Sequence, residues 1–184
     1  MSSFAGWDNF YVIVGSAAGA LTGLTFVVIS LVAGRRQEDA TWGVDAFTTP
    51  TIVHFGIVLL VSASLTAPWP SLGPAAILLG LCGLAGVAYA GIVIRRMRHV
   101  TNYQLVGEDW LWYVACPLVV YVALLITAIL LPRNPTPALF AIAAELLVIL
   151  FLGIHNAWDV VIYIAVVRAN EATEGSPGTK PEEK

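Results

Sequence analysis

The sequence predicts an all-α, polytopic membrane bundle of five transmembrane helices, with the N-terminus outside and the C-terminus in the cytoplasm. Three observations lead there. Of the 184 residues, 58% are hydrophobic and only 11% are charged, against about a quarter charged in an ordinary soluble domain; mean hydropathy is +0.82. The charges are clustered and leave long uncharged runs. The basic residues also fall almost wholly on one side of any five-span threading. With the first loop cytoplasmic, Arg35, Arg36, Arg95, Arg96, Arg98, Arg168, Lys180 and Lys184 are all inside and Arg133 alone is outside, as the positive-inside rule requires. The net charge of −3 carries little meaning in a bilayer. No basic arm or aromatic-interleaved basic face suggests nucleic acid as a partner.

After a short segment 1–9, the first span is predicted over Phe10 to Gly34. It is too long for a signal-peptide core and reads as a retained helix. Its stretch GSAAGALTG sets Gly15, Gly19 and Gly23 four residues apart, a glycine zipper that lets another helix approach closely. A polar loop to Thr49 follows. Thr49 reads as an N-cap and Pro50 as the first residue of a short second span, 51–67. APWPSLGP then forces an uncharged hairpin. The third span, 75–94, carries Gly83 and Gly86 on a second small-residue face and ends on Arg95, Arg96 and Arg98, beside His99. That collar predicts attraction to anionic lipid headgroups on the cytoplasmic side, about 1 kcal/mol per basic residue.

Glu108 and Asp109 precede the fourth span, 112–131, as suits a helix N-terminus. Trp110, Trp112 and Tyr113 form an interfacial aromatic cluster. Pro117 removes one backbone donor, so a kink is expected there. PRNPTP turns the chain into the fifth span, 138–167, and the tail 168–184 reads as disordered. The glycine faces suggest self-association or a membrane-protein partner.

The fifth span holds the polar groups that matter most. In AELLVILFLGIHNAWDVVIY, Glu145, Asn156 and Asp159 fall within about a sixth of the helix circumference, and His155 lies on its flank. Such a stripe must face protein or water. Threading puts His54 and Asp159 at similar inner-leaflet depth, with His155 about 6 Å deeper and Thr25 and Ser30 in the same half. Glu145 lies separately, towards the outer side. An ionised Glu145 there costs several kcal/mol, and no intramembrane Lys or Arg pairs with it. It is therefore protonated, near headgroups, or bonded to Ser62, Thr66 or Thr127.

Three readings of the stripe stay open. It is packing glue across helices, worth about 0.6 kcal/mol per bond; a proton- or cation-handling path; or a metal site of His54, His155 and Asp159. Cys82 and Cys116 lie in apolar runs without CxxC or Cys/His spacing and read as small buried hydrophobes. HExxH, GxSxG, a phosphate loop and any Lys before Lys180 are all missing from the sequence. Neither an enzyme nor a cofactor is expected.

FTTPTIVHFG, TAPWPSLG, EDWLWY and GIHNAWDVVIY together resemble a family of small bacterial multi-pass integral membrane proteins over most of residues 10–165. The resemblance implies a bacterial inner-membrane home and carries no activity. It singles out the segments holding His54 and His155 to Asp159 as the recognisable ones.

Overall fold

The computed structural model describes residues 6–33, 41–99 and 110–174, nearly all of them helical. α1 spans Asp8–Ala33, α2 Thr41–Leu65 and α3 Leu72–His99. A π-helical turn, Leu111–Ala115, runs straight into α4, Cys116–Leu130, and α5 spans Pro135–Glu174. The predicted all-α bundle is what the chain forms. Among the described residues, four helices are long and apolar enough to cross a membrane, and the apolar part of α2, Pro50–Leu65, is shorter. The acidic pair Glu108 and Asp109, the loop arginines Arg35 and Arg36, and the tail lysines Lys180 and Lys184 lie outside the described residues.

Several boundaries differ from those expected. α2 begins at Thr41, so Thr49 is no cap and Pro50 sits inside the helix. A proline there costs one hydrogen bond, and neighbouring helices make such a break tolerable in a bilayer. α3 starts at Leu72, with Pro74 in its first turn, and continues past residue 94 to His99. α5 runs from Pro135 to Glu174, about 60 Å at 1.5 Å per residue, so its last turns extend well beyond its apolar part, Pro135–Ile162. The break expected at Pro117 takes a definite form. The Cys116 N–H reaches back five residues to the Leu111 carbonyl, a wide turn that absorbs the donor the proline lacks.

Small residues set how the helices meet. A Cβ on Gly15 would lie 2.9 Å from Ser62 Cβ, and one on Gly19 would touch Leu59 at 3.8 Å; α1 therefore runs antiparallel against α2. On α3, Gly80, Gly83 and Gly86 oppose Ala128, Leu125 and Tyr121 of α4, also antiparallel. Gly153 of α5 receives the Phe55 ring, which a Cβ would meet at 2.5 Å. The faces around Gly15, Gly19, Gly83 and Gly86 are thus filled from within the chain, whereas Gly23 has open space beside it. α2 packs against α1, α3 and α5, and α4 against α3 and α5. α1, α3 and α5 point one way, and α2 and α4 the other.

The core is apolar: Phe55, Val58, Leu79, Leu124, Ile142 and Ile149 are fully buried. The outside is apolar too, with Ile13, Ile77 and Val119 each 68% exposed. A surface of this kind suits lipid rather than water. Trp7 packs on Phe140 at one end of the bundle, where Trp69 also donates its indole N–H to the Ser64 carbonyl at 2.6 Å. Arg95, Arg96 and Arg98 stand at the opposite end of α3, exposed.

Candidate functional site

Three polar side chains of the interior, His54, Glu145 and His155, find contacts on α4 and its leading π turn. His54 of α2 is 2% exposed, and its Nδ1 lies 2.6 Å from the Tyr121 hydroxyl. Thr127 Oγ1, two turns further along α4, donates to Glu145 Oε1 of α5 at 2.7 Å. Trp112, in the π turn, stacks on His155 of α5 with ring centroids 4.0 Å apart and planes 14° from parallel. His155 Nδ1 also stands 3.4 Å from Asp159 Oδ2, one helical turn on. That pair is within ion-pair reach, but Nδ1 makes no hydrogen bond.

The sequence-predicted site is therefore divided, Glu145 by its level in the bundle and the others by the face of α5 they occupy. Glu145 keeps its own level towards the Trp69 end, as threading indicated, and of its three expected partners it takes Thr127. Thr66 instead donates to the Ala63 carbonyl, and the Ser62 hydroxyl makes no hydrogen bond. His54 and Asn156 lie deep in the middle. His155, one residue before Asn156, and Asp159, three residues beyond it, lie instead on the side of α5 that meets Trp112, with side chains 28% and 43% exposed. Thr25 and Ser30 do not join them, since each hydroxyl donates to the carbonyl four residues back in α1. Among the described residues, no three His, Cys, Asp or Glu side chains gather as a metal-ligand set. The single centre of His54, His155 and Asp159 is not what this fold builds, because the two histidines leave different faces of different helices.

Two features were missed in the sequence. Tyr121, fully buried, reads there as one more apolar-run aromatic, yet it is the partner of His54. Its position depends on Gly86, which leaves room for the ring; the pairing of a glycine face with a large aromatic was the available signal. The second is how many buried polar atoms lack a partner. Among the described residues these are His54 Nε2, His155 Nδ1, Glu145 Oε2, both amide atoms of Asn156, and the hydroxyls of Tyr11, Ser62 and Tyr89. Asn156 is wholly buried. Orphaned polar atoms each carry a desolvation cost of about 1–3 kcal/mol.

The Thr127–Glu145 bond gives a direct expectation. Thr127→Val lowers stability in detergent by about 0.6–1 kcal/mol, the usual size of an interhelical hydrogen bond in membranes, while Thr66→Val, remote from Glu145, changes it less. Thermal unfolding of the two purified variants checks the difference.

No family model, no curated protein and no solved structure matches this chain.

Proposed function

We propose that the protein is a small non-enzymatic component of the bacterial inner membrane, serving in assembly or as an accessory subunit. One observation carries this reading: Tyr121, Thr127 and Trp112 of a single helix take up His54, Glu145 and His155. Polar groups spent between helices of the same chain fix register and rotation, which is what a packing scaffold needs. The same reading has five spans, the arginine end of α3 in the cytoplasm against anionic headgroups, and a lipid- or partner-facing surface left open around Gly23.

A second reading is favoured by a different observation. His54 Nε2 and the Asn156 amide are buried without partners, and unpaired polar groups at membrane depth are the usual mark of a proton or cation path. Liposomes holding the purified protein separate the two. The assembly reading expects no proton, Na+ or K+ flux above empty vesicles, with His155→Ala and Asp159→Asn altering only stability. Flux that disappears in those variants, or in His54→Leu, replaces it with the transport reading. A C-terminal reporter that is active only outside the cytoplasm overturns the orientation.

A further inference from the structure

We infer that the groove between α1 and α2 is a binding site for one ester-linked lipid, with an acyl chain lying along it and an ester carbonyl accepting from the hydroxyls of Tyr11 and Ser62. The groove has a volume of about 460 Å³, within the roughly 300–1,000 Å³ of small-molecule sites. Gly15 against Ser62 and Gly19 against Leu59 set the register of its two walls. One end is therefore lined by Tyr11, Ser62 and Thr66, and the other by Gly19, Ala20 and Leu59. From Tyr11 to Ala20 is about 13 Å at 1.5 Å per residue. Val12 and Leu59, also on the walls, are exposed, so the groove opens to the surrounding bilayer.

Its polar end holds two hydroxyls that the chain itself leaves unsatisfied. Tyr11 and Ser62 are each 1% exposed, and neither hydroxyl has a partner. Elsewhere on the same two helices, Thr22, Thr25, Ser30 and Ser64 each donate to the carbonyl four residues back, the local bond open to a hydroxyl in a helix. Thr66, at the same end of the groove, spends its proton on the Ala63 carbonyl. The two orphans are thus the donors this groove has to offer, and an acceptor brought in from outside removes the penalty of leaving them unpaired.

Charge and depth fix the class of the ligand. Among the described residues, no charged side chain lines the groove, so an ionic headgroup gains nothing inside it. The polar end is also the aromatic end of the bundle. Tyr11 donates its backbone N–H to the Trp7 carbonyl and stacks on the Trp7 ring with centroids 6.0 Å apart, and Trp69 follows Thr66 by three residues. Tryptophans of a membrane helix sit at the membrane–water interface, the level of lipid ester carbonyls, from which acyl chains run inward. Ester oxygens only accept, as two orphan donors require. The small residues Gly19 and Ala20 leave the inner end smooth and wide enough for the chain. A helix from a second copy answers the hydroxyls less well, because its carbonyls are committed to its own backbone bonds. The site is independent of whether the protein assembles with a partner or moves an ion.

The test compares two phosphatidylcholines with identical chains, one ester-linked and one ether-linked, added to the full chain in detergent. A lipid that binds only the folded state raises the unfolding midpoint. The ester lipid is expected to raise it by several degrees more than the ether lipid, saturably, and to remain as one bound lipid per chain in native mass spectrometry. Replacing choline by glycerol in both headgroups is expected to leave that difference unchanged. Tyr11→Phe with Ser62→Ala keeps the ring on Trp7 and the Cβ against Gly15, and is expected to erase it. Ser64→Ala, whose hydroxyl is bonded to the Leu60 carbonyl, retains it. Equal midpoints with the two lipids overturn the site, as does an ester preference that survives in the double variant or follows the headgroup instead. Disulfide dimers of Ser16→Cys, absent from the wild-type protein and formed equally with and without the ester lipid, overturn it too, because a second copy then fills the groove.

Discussion

Gly86→Ala is expected to lower the thermal midpoint in detergent by about 5–10 °C, whereas Gly23→Ala leaves it unchanged or slightly raised. A Cβ on Gly86 would clash with the Tyr121 ring. Overpacking a close-fitted core costs about 1–3 kcal/mol, or roughly 2–4 °C per kcal/mol for a chain of this size. The ring cannot retreat cheaply, since Tyr121 is fully buried and tied to His54. At Gly23 nothing lies within 4 Å of the added methyl, so only the intrinsic helix preference for alanine remains, up to about 1 kcal/mol in its favour. Circular dichroism melts of the two variants decide the matter. Equal losses at the two glycines would show that helix flexibility, not the α3–α4 contact, is what Gly86 supplies.

A second large effect is expected at the His54–Tyr121 pair, and its form is non-additive. Tyr121→Phe removes the hydroxyl and leaves His54 with both ring nitrogens unpartnered, because Nε2 already has no partner. The cost expected for such a buried orphan is about 1–3 kcal/mol. His54→Leu strands the phenol instead, at a similar cost. The double variant removes both polar groups and is expected to be more stable than the sum of the singles predicts, by about 0.5–3 kcal/mol of coupling. Strict additivity in denaturation of the four proteins would mean that the 2.6 Å contact contributes nothing to the fold.

Much of this architecture was legible in the chain. Apolar runs long enough to span a bilayer need no partner to be recognised, and PWP and PRNP turns punctuate them. Gly83 and Gly86 announced a close approach, and Glu145 with Thr127 was one of three pairings that depth alone allowed. Pro50 was misjudged because a proline after Thr reads locally as a helix start. In the structure the helix starts at Thr41 and continues through Pro50 to Leu65, where α2 is packed against α1, α3 and α5. Asn156 was recognised as part of a polar stripe, but its isolation from His155 and Asp159 was not.

The sequence by itself determined the all-α class and its long apolar helices, because hydrophobic length and helical rise are properties of one chain segment. The tertiary structure alone decided which polar groups meet. Partner choice depends on the rotation of each helix about its axis, and that is set by distant small residues: Gly86 under Tyr121, Gly153 under Phe55 and Gly15 against Ser62. Those contacts turn α4 so that Tyr121 faces His54 and Thr127 faces Glu145, and they leave the buried Asn156 amide without a partner. Periodicity fixes which residues share a face; only packing fixes what that face looks at.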